Sequence, residues 1–469
     1  MLAENIFFPI EGIYRELDYK LLLAAMLVDE DKTITIAHHD LVDSLALKSN
    51  SGVYFGKNIM RPSKYLLLKK YKKNNFTIIH LDEEGAIFRG NKNSWNSILN
   101  DRLKINTLSN DDYVLTWGIF QKNHYKSVLN KSLNIKIIST GTPRFDLYKK
   151  PYSNIYLNKI NQIKNKYKNF ILINTNSFPT FFEHGIRDFF DENKGLLDGT
   201  PYSDIINDRL NVFEDWSFHT NTTIEFAKLA HLLSNKFPSI KILIRPHQGE
   251  DALLYKIITK GVKNIEIINN KDQVAPWILA CNVLVHNRCT TGAEAFFANK
   301  PVINYDPIHR EHSKNHILNK LGVHVENSDD VVKEVDKILN MSNPSTNNNS
   351  LKNNDLEMLE NFKEDSFVKI KNILNKIIDD KKNINFKTVN NNFIIFYEII
   401  YNIKNFLKFP IRKFFYPEKH KRFIKSKIVF SGFDKKDILQ KIEKIQKITN
   451  KKIKLIFLSG RIFKIKIDS

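Results

Sequence analysis

Val283-Leu284-Val285-His286-Asn287-Arg288-Cys289-Thr290-Thr291-Gly292-Ala293-Glu294-Ala295 is the stretch that decides the fold class of this chain. An apolar, β-branched run ends in a polar turn, and the turn opens into a helical pattern, rich in small residues at its start, reaching Ala298. That is the pattern of a buried parallel strand feeding a helix. Hydroxyls and backbone N–H groups at such a helix start form an anion site. His286, Thr290, Thr291 and Gly292 define the candidate site, and Arg288 offers a charge-assisted bond to phosphate. Glu294, one turn inside the helix, is placed to accept from ribose hydroxyls, as an acidic residue does in dinucleotide folds. The plainer reading is a threonine cap on a buried helix.

The same alternation runs through the chain in both directions. Strands are expected at Ile6–Ile10, Thr33–Ala37, Gly52–Phe55, Phe76–Leu81, Tyr113–Trp117 and Ile135–Ser139, with helical patterns between most of them. A second series follows at Tyr167–Ile173, Ile240–Ile244, Ile265–Ile268, Val283–Val285 and Pro301–Tyr305. Two parallel α/β lobes in one chain predict ligand binding in the crevice at the carboxyl ends of the strands. The expected layout is a first lobe over 1–150, a second over 151–345, a linker and helix over 346–384, and a basic extension over 385–469. Roughly forty irregular residues after Asn176 are too many for an ordinary connection and suggest a functional loop or lid.

The remaining polar motifs fall at strand ends. Asn174 and Asn176 close the strand that opens the second lobe. Arg245-Pro246-His247 follows an apolar strand, so Arg245 and His247 are expected to grip a donor phosphate, with His247 as donor or acid to the leaving group. A surface turn with an incidental histidine is the alternative. Asp82-Glu83-Glu84-Gly85 packs three carboxylates at a strand end, where they raise one another's pKa and suit a general base. The plain alternative is a solvated acidic loop. Glu11, Arg15, Glu16 and Asp18 follow the first strand, either as acceptor-binding groups or as a capped helix start. Gly141-Thr142-Pro143-Arg144-Phe145-Asp146 reads as an ordered turn between the lobes, with Arg144 a further candidate facing the cleft.

Several chemistries are excluded. Asp29-Glu30-Asp31 ends a helix away from the crevice and reads as a solvated turn, so no metal site and no cofactor are expected. The chain has no zinc spacing, no Gly-Lys-Ser/Thr phosphate loop and no Gly-x-Ser-x-Gly elbow. Its two cysteines, Cys281 and Cys289, imply no disulfide framework. Met1–Asn5 shows no basic stretch leading into an apolar one, so a cytoplasmic location is expected.

The motifs together resemble the bacterial surface carbohydrate biosynthesis proteins. FFPIEGIYRELDYKLLLA near the start, LDEEG at 81–85, GTPRFD at 141–146, ILINTN at 171–176 and IRPH at 244–247 occur in the right order over most of the chain. The tail adds Lys419-His420-Lys421 and Phe430 to Ile438. The resemblance implies a GT-B glycosyltransferase: two Rossmann-like domains facing a central cleft, the first binding acceptor and the second a nucleotide sugar, with a basic C-terminal extension. Related capsule Kdo and nonulosonic acid transferases use CMP-activated donors. They carry an acidic motif ending in Gly, similar to Asp82–Gly85, a His-Pro motif, and a Ser/Thr motif that Thr290-Thr291 matches. Here the proline precedes His247 and Gln248 follows it. The resemblance makes Glu83 or Glu84 the expected catalytic group. A CDP-glycerol-type glycerophosphotransferase shares the Arg-Pro-His run and this architecture, and a non-catalytic scaffold would share the fold.

The net charge of +21 over 469 residues is concentrated at the end: residues 386–469 hold 21 Lys/Arg and 6 Asp/Glu, a surplus of 21 − 6 = +15. Phe393–Phe415 is aromatic and apolar with interspersed Lys and Arg. Leu439, Ile442, Ile445 and Ile448 make one side of a basic helix. An anionic membrane surface is one expected partner of the tail, alongside a nucleotide sugar and a glycan or lipid-linked glycan acceptor; nucleic acid is not expected. A small packed subdomain is the competing reading of the tail.

Overall fold

The computed structural model describes residues 3–57, 62–84, 92–177, 206–247, 250, 252–268, 272–308, 317–342, 351, 353–381, 389–416, 420, 423 and 430–468. Gly85, Gln248, Lys419, Lys421, residues 178–205 of the long loop and residues 343–350, rich in Asn and Ser, lie outside these. The chain forms two α/β units. The first is Met1–Ala86, Trp95–Ile155 and Asn353–Ser469, and the second is Ile87–Ser94 and Tyr156–Lys352.

The first unit is built on β1 (Ala3–Ile10), β2 (Lys32–His38), β3 (Gly52–Lys57), β4 (Phe76–Leu81), β5 (Tyr113–Thr116) and β6 (Lys136–Ser139), in the order β2-β1-β3-β4-β5-β6. All of these pairings are parallel. Such strands are covered on both faces, which is why they read as apolar runs rather than alternations.

The second unit is a Rossmann sheet. Its strands are β7 (Phe170–Asn174), β8 (Lys241–Arg245), β9 (Ile265–Ile267), β10 (Val283–His286), β11 (Val302–Tyr305) and β12 (Val323–Val325). They lie all-parallel in the order β12-β11-β10-β7-β8-β9. Strand order reverses between β7 and β10, and ligands of such sheets bind outside the carboxyl ends of the strands at that switch. The core is Ile171, Ile173, Ile242, Ile244, Val283, Val285 and Ile303 against Phe226, Leu229 and Leu233 of the helix Ile206–Lys236. Tyr167, expected to open β7, instead ends the preceding helix Leu157–Tyr167.

The boundaries expected from sequence are redrawn at the C-terminus. Asn361, beyond the second unit, closes the Gly141–Thr142 turn of the first: its Oδ1 accepts from Thr142 N at 2.9 Å and its Nδ2 donates to Thr142 O at 2.9 Å. Ser366 N donates to the buried Asp146 carboxylate at 2.7 Å. The 385–469 segment is not a separate extension either. Its last strands, β13 (Ile453–Ser459) and β14 (Ile462–Ile467), form an antiparallel hairpin that adds to β2. Ile462, Phe463 and Ile465 are fully buried there.

The helix Lys435–Thr449 packs on the helix Ile13–Leu27, with Ile438, Ile442 and Ile445 buried and Leu439 exposed. This stripe serves as core, the packed-subdomain reading. It also removes Asp18 from the acceptor-binding candidates. The Asp18 carboxylate accepts from Lys441 Nζ at 2.7 Å, and both groups are buried. A buried charge needs such a partner, and Lys441 takes up this one.

Candidate functional site

The first unit gathers its acidic motif against the start of its first helix. β4 ends at Leu81, and the next three residues turn across Ile13–Leu27. Trp117 Nε1 donates to the Asp82 carbonyl and pins the turn. The three carboxylates then meet different fates. Asp82 is buried and gripped by Arg102, whose Nε lies 2.6 Å from Oδ2 and whose Nη2 bonds Oδ1. Glu84 sits between Arg15 and Arg102 Nη1, the latter at 3.2 Å. Burial pushes the Glu84 carboxyl up, but the two guanidiniums outweigh it and hold it at about 2. Asp82 and Glu84 are therefore occupied by cations, and Glu84 is a poor base.

Glu83 is the exception. It is buried, and its pKa is pushed up to about 7 by desolvation and by the charge of Glu16. Lys20, 3.9 Å away, and the Tyr19 hydroxyl, which donates to Glu83 Oε1, pull in the other direction. Glu16 is ion-paired to Lys20 at 2.9 Å and accepts from Gly12 N at 2.9 Å. Lys20 also donates to the Pro9 carbonyl at 2.7 Å, which ties the group to the end of β1. Arg144 donates to the Glu83 carbonyl at 3.3 Å. A carboxyl with a pKa near the working pH has the property a general base requires. Glu83, Glu84, Asp82, Arg15, Glu16 and Arg144 are thus brought together, while Glu11 is paired with Lys57 at an exposed position. Sequence reading missed Lys20, Tyr19 and Arg102. A lysine four residues after a glutamate, at the head of the apolar run Leu21–Leu27, is the available signal.

The second unit aligns its polar groups in one register row. Asn174 pairs with Arg245 on one side and His286 on the other, and His286 pairs with Asn304, itself beside His324. Asn174 and His286 stand at the carboxyl ends of β7 and β10, at the topological switch. Both are buried. Neither atom of the Asn174 amide, nor His286 Nε2, nor the buried Thr291 hydroxyl has a hydrogen-bond partner among the described residues. Burial lowers the His286 pKa to about 3, with the charge of His324 a secondary cause, so the ring is neutral. Its Nδ1 accepts from Cys289 N at 3.3 Å, which assigns the proton to Nε2. Unpartnered buried polar groups are costly and call for a partner, so this row is a ready contact surface for a polar ligand.

The helix Thr290–Phe297 begins there, with no side-chain cap on its N-cap residue Cys289. Gly292 allows the His286 ring to lie against its first turn, since a Cβ at 292 would run into that ring. Gly292→Ala is expected to displace the imidazole and to destabilise the unit by about 1–3 kcal/mol. Thermal unfolding and nucleotide titration of the variant check this; unchanged values for both would contradict it.

Arg288 is held differently from the sequence expectation. Its backbone is left-handed, with φ +44°, a strained state for a non-glycine residue. Asn304 Oδ1 accepts from its N–H at 3.0 Å, its guanidinium is bound by Asp306, and it stacks 4.7 Å over the Phe218 ring. In this arrangement the guanidinium is engaged within the protein rather than presented to phosphate. Arg245 Nη2 likewise donates to the Asp272 carbonyl at 2.7 Å. His247 and Asn176 are half-buried at the ends that follow β8 and β7, and Glu294 is buried inside its helix. Glu250 went unnoticed in the sequence. It is buried, accepts from Thr175 Oγ1 at 2.6 Å and from Tyr255 OH at 3.0 Å, and receives the Ser177 N–H, so it joins the turns after β7 and β8.

One described group has a composition that suits a cation. Ligand atoms of His38, His39 and Asp40 lie within 4.8 Å of one another at the end of β2. Asp29, in the acidic triplet, is instead taken by Lys32 Nζ at 2.8 Å.

The fold and the two sites define a two-unit α/β protein whose second unit has Rossmann strand order. No family model and no curated protein matches the sequence. Among solved structures the chain is similar to UDP-GlcNAc 2-epimerase of Methanocaldococcus jannaschii in complex with UDP-GlcNAc and UDP, at 13% identity and a TM-score of 0.44, over 80% of this chain and 100% of that one. It is similar to UDP-N-acetylglucosamine 2-epimerase from Rickettsia bellii at 12% identity and a TM-score of 0.45, over 82% and 99%. The wall teichoic acid polymerase TagF is similar at 13% identity and a TM-score of 0.47, over 81% and 90%. The chemistry assigned to this chain rests on its own residues.

Proposed function

We propose that this protein is a GT-B glycosyltransferase of bacterial surface polysaccharide synthesis that transfers a sugar, Kdo or a nonulosonic acid, from its CMP-activated donor to a glycan acceptor. The observation that carries the reading is the set of groups at the β7/β10 switch: a buried asparagine amide, the Nε2 of a neutral histidine and a threonine hydroxyl, all without partners among the described residues, beside the start of a helix. Polar groups of that kind suit a phosphate and a nucleoside, because the helix end and the Nε2–H donate while the amide both donates and accepts. In the first unit Glu83 serves as base. It takes the proton of the acceptor hydroxyl as that oxygen bonds the anomeric carbon, and the bond from that carbon to the nucleotide phosphate breaks, the electron pair leaving with the nucleotide. Arg102 and Arg15 hold Asp82 and Glu84 in place around it.

The test is the thermal midpoint with CMP, CDP, UDP and GDP at saturation. A ligand at about 100 times its dissociation constant stabilises by about 2.7 kcal/mol. A rise with CMP, lost in Asn174→Ala and Thr291→Ala, is expected. A rise only with CDP would replace the sugar donor by a CDP-glycerol type. A rise only with UDP or GDP would overturn the CMP assignment, and no rise with any nucleotide would leave a non-catalytic scaffold.

A further inference from the structure

The helix Asn391–Phe415 has two unlike sides. Its first half is docked on the first unit by Ile394 and Glu398, both buried. Glu398 is locked by Arg461, whose Nε lies 3.0 Å from Oε2, and by Ser459 Oγ at 2.9 Å. The Arg461 guanidinium in turn stacks 3.6 Å over the Tyr401 ring. Lys48 lies 3.8 Å over the Phe393 ring.

The other side is exposed among the described residues. Phe396, Ile399, Ile403, Phe406 and Phe414 recur at helical spacing along one stripe, and all are exposed. Phe406 is 79% exposed and Phe414 and Phe415 are each 75% exposed, which is unusual for aromatic side chains. Lys404 and Lys408, four apart, border the stripe on one flank, and Lys413 borders it on the other; all three are exposed. From Ile399 to Tyr416 there is no acidic residue. No helix among the described residues is long and apolar enough to cross a membrane.

We propose that this helix is an interfacial anchor that lays the stripe Phe396–Phe414 into an anionic lipid surface. Charge complementarity selects the occupant. An apolar face bordered by Lys404, Lys408 and Lys413, with no acidic residue from Ile399 to Tyr416, matches an acidic headgroup layer over acyl chains, with the lysine stems lying along the apolar boundary and their ammonium groups reaching phosphate. A self-association face would set these cations against the same cations of a second copy. The inference goes beyond the transferase reading and does not depend on the donor or on Glu83. It places the first unit, which carries Glu83, at a lipid surface, where a lipid-linked acceptor would be presented.

The test is cosedimentation of the full chain with vesicles of phosphatidylcholine alone and of phosphatidylcholine with phosphatidylglycerol. The wild type is expected to partition onto the anionic vesicles and to be released by salt. Phe406→Ser/Phe414→Ser is expected to weaken partitioning by more than roughly 100-fold. Lys404→Glu/Lys408→Glu is expected to lose at least roughly fivefold per position on anionic vesicles only. All four positions are exposed, so both variants should keep the wild-type thermal midpoint, which is measured alongside. Failure of the wild type to bind anionic vesicles would overturn the proposal, as would undiminished binding by the double serine variant. A dimer that the serine variant converts to monomer, with no vesicle binding, would show that a second copy covers the stripe and would also overturn it.

Discussion

Glu83→Gln is expected to lower sugar transfer by about 10²–10⁴-fold while leaving nucleotide binding unchanged. The amide keeps the size of the side chain and can still accept from Tyr19, but it cannot take a proton. Wild-type turnover should rise with pH through about 7, the value at which burial and the Glu16 charge hold this carboxyl, and level off above it. The same shift fixes the sign of a stability effect. A carboxyl whose folded pKa lies above its unfolded value contributes stability that is fully present below the unfolded pKa and lost as pH rises through the folded one. Ionised Glu83 thus costs stability above about pH 7. Glu83→Gln should therefore be more stable than the wild type at alkaline pH, by an amount on the order of 1–3 kcal/mol, and no more stable in acid. Loss of activity with a gain in alkaline stability is the signature of a strained catalytic carboxyl. A parallel loss of both would mark Glu83 as a structural residue.

Lys20→Met is the second large effect. Lys20 is the buried cation between Glu16 and Glu83, and among the described residues it is the cation within 4 Å of both. Removing it strands the Glu16 carboxylate in the interior, at a cost of about 3–5 kcal/mol. Glu16 is held below its ordinary pKa: burial raises it, but Lys20 and Lys57 outweigh burial. Its contribution is therefore present above the unfolded pKa and lost as pH falls through the folded one, so the Lys20→Met defect should be largest near neutrality and shrink in acid. Glu83 loses a charge that lowers its pKa, so the pH–rate profile should move to higher pH. A destabilised variant with an unmoved profile would show that Lys20 supports the fold alone.

The strands of both sheets are legible because parallel strands buried on two faces appear as short apolar runs, and the polar motifs that end them mark the carboxyl edge. Asn174, His286 and Thr291 can be chosen that way. Which of Asp82, Glu83 and Glu84 is fit to act cannot, since the answer depends on where Arg15 and Arg102 place their guanidiniums. Asp18 was misassigned for the same reason: its partner, Lys441, comes from the far end of the chain, and no local pattern announces the pairing. The C-terminal return was also hidden. The Lys435–Thr449 stripe has the same apolar period whether it meets lipid or the helix Ile13–Leu27, and only the fold distinguishes the two. Arg288 looked free because its neighbours in sequence are neutral, whereas Asp306 and Phe218, which hold it, lie on other elements.

The most direct measurement is release of CMP from CMP-Kdo and CMP-nonulosonic acids in the presence of a surface-glycan acceptor, comparing the wild type with Glu83→Gln. Acceptor-dependent release by the wild type, rising through about pH 7 and lost in Glu83→Gln, is the predicted result. Equal release by both proteins, or none by the wild type under conditions where CMP still raises its thermal midpoint, would contradict it.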